Sequence, residues 1–222
     1  VLILWFENLG FSQNCDVAKS PNYGRIRRNS IFLKGRPALC FGNKSMKSAV
    51  FLERDGVLNM ARVERQQQVS PRTLDEFVID FSAVEPLKEL KAAGYVLLAT
   101  TNQPGISRGY QSRRELDRMH DRLKHCFNLD DVLMCAHVEM DRCPCRKPKA
   151  GLLLEAGFKW QLDLEHSFVI SDKWQDAKAA HIAGCTSLLI KSPWNGSGHH
   201  DFVLPDLRSA VGKVLQLQAS PI

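Results

Sequence analysis

The chain has 222 residues, enough for one globular domain with an extension, and its 44% hydrophobic and 24% charged residues exclude a disordered chain, a collagen or a continuous coiled coil. No run reaches the ~18 apolar residues of a membrane-spanning helix. The net charge of +6 sits mostly in residues 1–45, where seven Lys/Arg face two acids, so the rest is nearly neutral and offers no basic groove for nucleic acid.

Residues 1–45 show no sustained helical or strand period and mix Asn, Ser, Gly, Pro and Arg with isolated aromatics. They read as an N-terminal extension or linker of uncertain status. The opening Val1–Phe6 has neither the basic flank nor the small-residue cleavage site of a signal peptide. Met46, the first methionine, stands directly before the first strand-like run, so the folded domain is expected over 46–222. Ala49–Leu52 predicts a buried strand. Ser82 is the expected cap of a helix that Gly94 ends, and Tyr95–Thr100 is the next strand. Ser112 and Glu115 have capping-box spacing for a helix running to about Phe127. A strand at Val132–Cys135, a helix at Gly151–Trp160 and a strand at Phe168–Ser171 follow. A helix at Gln175–Ala183, strands at Thr186–Ile190 and Phe202–Leu204, and a helix at Pro205–Gln216 complete the order. This alternation predicts an α/β fold, a parallel sheet with helices on both faces. Ligands of such sheets sit beyond the carboxyl ends of the strands.

The polar residues of chemical interest cluster at those ends. The first strand runs into Glu53-Arg-Asp55-Gly56, two carboxylates two residues apart with a glycine that frees the backbone to turn; a solvated turn would look the same. The second ends in Thr100-Thr-Asn-Gln-Pro-Gly105, a hydroxyl and amides able to cradle phosphate oxygens. Lys147, in Cys145-Arg-Lys-Pro148, can neutralise a phosphate or be an ordinary surface lysine. Asp172 and Asp176, in Ser171-Asp-Lys-Trp-Gln-Asp176, can face one cation such as Mg²⁺, which binds through one or two carboxylates plus substrate phosphate. Asp176 reads equally as an acid favoured by a helix start.

In this order the pieces resemble the haloacid dehalogenase (HAD) superfamily of phosphohydrolases. The longer words Phe-Leu-x-Arg-Asp-Gly-Val-Leu-Asn, Thr-Asn-Gln-x-Gly-Ile-x-Arg-Gly and Cys-Arg-Lys-Pro are similar to its small-molecule branch of heptose-bisphosphate and histidinol-phosphate phosphatases, from about Ala49 to Leu217. The resemblance implies a Rossmann-like HAD domain without a large cap. It implies Glu53 as the nucleophile, Asp55 as general acid/base, Thr101 and Asn102 holding the transferring phosphoryl group, and Lys147 stabilising its charge. Arg108, Arg146 and Lys173 become substrate contacts. Glu53, the Asp55 carbonyl and Asp172, with Asp176 beside them, become the Mg²⁺ site.

Cys135-Ala-His-Val-Glu-Met-Asp-Arg-Cys-Pro-Cys145 gives Cys-x-His-x5-Cys-x-Cys. Cys135, His137, Cys143 and Cys145 complete a closed tetrahedral Zn²⁺ shell, a structural rather than catalytic site, and the same arrangement occurs in the family. Thiolate ligands imply a reducing, cytoplasmic setting. Cys126 and Cys185 read as small buried residues, and His199-His200 as a polar loop.

One position departs from the family, which has aspartate where this chain has Glu53. The carboxylate is kept but moved out by one C–C bond, roughly 1.5 Å, and a displacement of ~1 Å can cost about a hundredfold in rate. The expectation is a Mg²⁺-dependent phosphatase acting on a small phosphorylated metabolite, a heptose bisphosphate first and histidinol phosphate second, through a phosphoacyl intermediate. It is expected to work as a monomer with no membrane or nucleic-acid partner. The reading from another class is a catalytically weak HAD-fold binding protein.

Overall fold

The structure, a computed structural model, describes residues 46–219; the expected extension at 1–45 lies outside the described residues. Strand β1 (Ala49–Glu53) is followed by a hairpin of β2 (Arg62–Glu64) and β3 (Gln67–Val69), then helix α1 (Val84–Ala92) and strand β4 (Val96–Asn102). Helix α2 (Arg113–Phe127), strand β5 (Asp131–Cys135), helix α3 (Gly151–Trp160), strand β6 (Phe168–Ser171), helix α4 (Trp174–Ala183), strands β7 (Thr186–Ile190) and β8 (Phe202–Leu204), and helix α5 (Leu207–Ala219) complete it. The main sheet has the order β5-β4-β1-β6-β7-β8, and each neighbouring pair is parallel. Between β1 and α1 the chain makes the hairpin, a loop and a short 3₁₀ turn, with no large cap inserted there.

β1 lies centrally and is buried along its whole length, so its alternate residues feed opposite layers. Val50 and Leu52 join the core with Leu87 and Leu90 of α1, Leu116, Met119 and Leu123 of α2, and Val211 and Val214 of α5. Ala49 and Phe51 face Leu152, Leu153 and Ala156 of α3 and Ala179 and Ala180 of α4. No helix among the described residues is long and apolar enough to cross a membrane.

Three local expectations are corrected. The turn before α1 is capped by Asp80, whose carboxylate accepts from Ser82 N at 3.0 Å; Ser82 sits inside the short 3₁₀ turn that this cap starts, one residue too late to cap it. Ser112 does cap α2, accepting from Glu115 N at 3.1 Å. Glu115, however, turns away to accept from Leu74 N at 2.9 Å, so the capping box is half formed and its carboxylate ties down the loop after the hairpin. The hairpin itself was not foreseen. Its turn residues Arg65 and Gln66 have φ of 48° and 61°, a conformation that Asn-Gly usually signals and this sequence does not.

Leu98 on β4 is fully buried against the α3/α4 layer. Leu98→Ala should cost about 2–5 kcal/mol, read as a lowered urea midpoint with an unchanged m-value.

Candidate active site

Beyond the carboxyl end of β1 the backbone turns at once. Arg54 O accepts from Leu58 N at 3.0 Å and Asn59 N at 3.1 Å. Gly56 has φ +99°, and a Cβ there would lie 2.3 Å from Asp172 Oδ2. Only glycine satisfies both the turn and this close approach. The turn holds Glu53 and Asp55 together, with Asp55 N donating to Glu53 Oε1 at 3.3 Å. Both are almost fully buried.

Two lysines meet them. Lys147 Nζ pairs with Glu53 Oε2, lies 2.5 Å from Asp176 Oδ1 and donates to Thr100 O at 3.0 Å. Lys173 Nζ donates to Asp55 O at 2.8 Å and lies 3.3 Å from Glu53 Oε1 and 3.7 Å from Asp172 Oδ1. Burial alone would raise Glu53, but the two ammonium groups outweigh it and hold the carboxyl below its ordinary range. Burial opposes ionisation of Asp55 too, yet Arg54 and Lys173 bring it down to about 2. Asp172, with fewer donors, is raised by burial.

The expected acids and lysines therefore converge, and two expected residues take partners within the protein. Asp176, expected beside Asp172 at a metal, is engaged by Lys147; its place in the first turn of α4 carries it to the lysine end of the site. Asn102, expected on the phosphoryl group, clasps the Lys147 backbone, donating from Nδ2 to the carbonyl and accepting from the amide, both at 3.1 Å. It fixes where Lys147 emerges and still lines the cleft. Thr101 is fully buried, its hydroxyl 3.5 Å from Glu53 Oε1. Arg108 lies on the exposed rim beside Tyr110, and Arg146 donates to His137 O at 3.1 Å. An open cleft of about 370 Å³ is lined by both arginines, Glu53, Asp55, Asn102, Lys147 and Lys173.

Several functional residues escaped sequence reasoning. Ser70 Oγ donates to Asp55 Oδ2 at 2.7 Å, and Gln103 Nε2 donates to the same oxygen at 3.0 Å and to Thr101 Oγ1 at 2.8 Å. Gln68, on the hairpin, donates to Asp55 O at 2.9 Å and Asp172 Oδ2 at 3.2 Å. Arg72 adds a third guanidinium to the rim. Ser192 Oγ and Asn195 Nδ2 both donate to Asp172 O. Gln103 lies inside the Thr-Asn-Gln motif and has a signal; Gln68 sits on the short strand β3 and the others in loops, where nothing in the local pattern points inward.

At the end of β5, Cys135, His137, Cys143 and Cys145 present one ligand atom each, all within 4.8 Å of one another. Burial and the neighbouring Cys145 push the Cys135 thiol up to about 12, so three thiolates need a cation among them. The loop closes onto α3: a Cβ at Gly151 would lie 2.4 Å from Pro144 O. The four residues can hold a metal ion without an open position, and the loop they close continues directly into Arg146 and Lys147.

The chain is similar to known proteins in sequence and in fold. A family model described as HAD-hydrolase-like matches residues 144–210. A D-glycero-beta-D-manno-heptose-1,7-bisphosphate 7-phosphatase of Helicobacter pylori is 37% identical over 65% of this chain and 85% of the relative. One of Pseudomonas aeruginosa is 33% identical over 66% and 82%. The solved D,D-heptose 1,7-bisphosphate phosphatase of B. bronchiseptica, complexed with magnesium and phosphate, superposes with a TM-score of 0.66 at 27% identity, over 77% of this chain and 99% of that one. With its parallel sheet, its paired carboxylates at the end of β1 and relatives matched over most of their length, the chain belongs to the heptose-bisphosphate phosphatase family of the HAD superfamily.

Proposed function

We propose that this chain hydrolyses the C7 phosphate of a D-glycero-D-manno-heptose 1,7-bisphosphate, with Glu53 as the nucleophile. One observation carries the reading. The Glu53 carboxylate, one bond longer than the family's aspartate, ends in contact with both lysines and beside Asp55 at the floor of the cleft. The pocket accommodates the longer arm instead of leaving it out of place.

In this mechanism Glu53 attacks phosphorus and the phosphoryl group passes to its carboxylate oxygen. Lys147 and the Thr101 hydroxyl offset the charge that spreads over the transferring oxygens. Asp55 gives a proton to the C7 oxygen, a primary alkoxide that leaves poorly without one, and then takes a proton from the water that opens the acyl phosphate. In the ligand-free site Asp55 is an ionised carboxylate; the incoming phosphate places like charge beside it and raises its affinity for a proton. Arg72, Arg108 and Arg146 on the rim suit the second phosphate, where planar guanidinium groups can pair two oxygens at once.

The family implies Mg²⁺, and the residues fit it. Glu53 Oε1, Asp55 O and Asp172 Oδ1 converge on one cation already, the Lys173 ammonium, and Asp172 Oδ1 is buried without a hydrogen-bond partner. These three oxygens would hold the ion, which neutralises phosphate charge when bound. The Cys135, His137, Cys143 and Cys145 cluster suits structural Zn²⁺ by its donor set, and thiolates in that role agree with a reducing, cytoplasmic compartment.

Phosphate release from the heptose bisphosphate tests the assignment. Glu53→Asp should lower kcat by about tenfold to a hundredfold, because the shorter arm falls short of phosphorus in a pocket shaped for glutamate. Glu53→Gln should abolish turnover; full activity there would end the covalent mechanism. Asp172→Ala should remove Mg²⁺-dependent turnover, and calorimetric titration with Mg²⁺ should show the lost site while the thermal transition stays cooperative. Metal analysis should find about one Zn²⁺ per chain. Cys143→Ser should release it and reduce activity through the loop that carries Arg146 and Lys147; zinc retained at full occupancy would refute that ligand set.

A further inference from the structure

Between the two active-site carboxylates stands Arg54, the largest of the fully buried side chains. A guanidinium cannot shed its charge, so burying it demands partners for its donors. Nε donates to Asp55 Oδ1 at 3.0 Å and Nη2 donates to Asp55 Oδ2 at 3.1 Å, a two-pronged grip on one carboxylate. Nη1 lies 3.4 Å from Nε2 of His120 on α2. Its planar carbon stands 5.6 Å from the centre of the Phe77 ring, within the range of cation–π attraction. Asp55 is the one carboxylate in ion-pair range of Arg54 among the described residues.

His120 is itself buried. Burial, and after it the Arg54 charge, push its imidazole down to about 4. The ring is therefore neutral near pH 7, and an imidazole that accepts at Nε2 carries its proton on Nδ1. The chain of contacts runs from the α2 core through a neutral ring and a fixed cation to the carboxylate that must move a proton.

We propose that Arg54 is a positioning residue for Asp55: braced by His120 and Phe77, it fixes the direction in which the Asp55 carboxyl faces the leaving oxygen. The proposal rests on the reading of Asp55 as general acid. Ser70 and Gln103 grip one Asp55 oxygen from the cleft side, whereas Arg54 alone grips both from behind. A fork onto both oxygens sets the plane of the carboxylate as well as its place. Lysine, a point charge, supplies the charge without setting the plane. Arg54 touches neither substrate nor nucleophile in this arrangement and acts only through Asp55.

The test compares two leaving groups. The heptose bisphosphate releases an alkoxide that needs a proton, and p-nitrophenyl phosphate releases a phenolate that hardly does. Asp55→Asn serves as the reference and should lose far more on the first substrate than on the second. Arg54→Gln should reproduce that pattern, with a loss of about a hundredfold on the heptose bisphosphate, less than tenfold on p-nitrophenyl phosphate, and little change in KM. Arg54→Lys should recover only part of the loss. If Arg54→Gln lowers both substrates equally while Asp55→Asn discriminates, the brace is wrong and the general-acid reading stands. If Asp55→Asn does not discriminate, the general-acid reading falls and the proposal falls with it. Should Arg54→Gln fail to fold, His120→Phe, which removes only the Nη1 anchor, should show the same leaving-group pattern at about threefold to tenfold, and His120→Gln, which restores an acceptor, should reverse it. In a chain inactive on both substrates, the crystal structure of Arg54→Gln or His120→Phe decides: an Asp55 carboxyl that keeps its orientation overturns the proposal, and one that rotates supports it.

Discussion

Four carboxylates, Glu53, Asp55, Asp172 and Asp176, are buried at or just beyond neighbouring strand ends and meet three cations, the buried Arg54 and Lys147 and the half-buried Lys173, and this compensated cluster is the constraint that the rest of the domain serves. An isolated buried carboxylate would take up a proton and lose its chemistry. Here each acid meets at least one cation. β1 ends in Glu53, the turn after it supplies Arg54 and Asp55, the loop before α3 supplies Lys147, and β6 leads into Asp172 and Lys173, with Asp176 in the first turn of α4. The parallel sheet makes this possible, because it delivers the carboxyl ends of β1, β4 and β6 to one side, where the turns can cross without competing for ladder hydrogen bonds.

The longer Glu53 arm is best understood within that cluster. An aspartate would leave its oxygens one bond nearer the backbone, whereas Glu53 reaches both Lys147 and Lys173. The substitution keeps the charge that the lysines require, so the electrostatic balance survives. What changes is reach, which affects rate through geometry and leaves stability largely to the ion pairs.

Two loops finish the site from outside the sheet. The β2–β3 hairpin brings Gln68 onto the Asp55 carbonyl and Asp172, and the segment after it brings Ser70 onto the Asp55 carboxylate. The Cys/His loop converges on one point and runs straight into Arg146 and Lys147. Asn102 then clasps the Lys147 backbone from β4. A lysine that must stand between two carboxylates is thereby held at its backbone as well as at its tip, which limits the freedom lost when substrate arrives.

The sequence by itself determined the β–α order, the strand ends as the location of the site, and the acids and lysines gathered there, though not the amides and hydroxyls that hold them. Buried strands and capped helices carry local patterns, and the strand ends carry polar residues at fixed offsets from them. The Cys-x-His-x5-Cys-x-Cys cluster was equally legible, since its four side chains lie within eleven residues and one loop can bring them together. Pairings between distant segments were decided by tertiary structure alone. Asp176 meets Lys147 and Asn102 clasps the Lys147 backbone, because both contacts depend on how α4 and the loop before α3 pack against the sheet. The hairpin turn at Arg65-Gln66 carries no glycine or asparagine to announce it. Arg54, one residue from each motif carboxylate, reads in the sequence as a spacer; only the packing of α2 and Phe77 behind β1 encloses its charge and turns it toward Asp55.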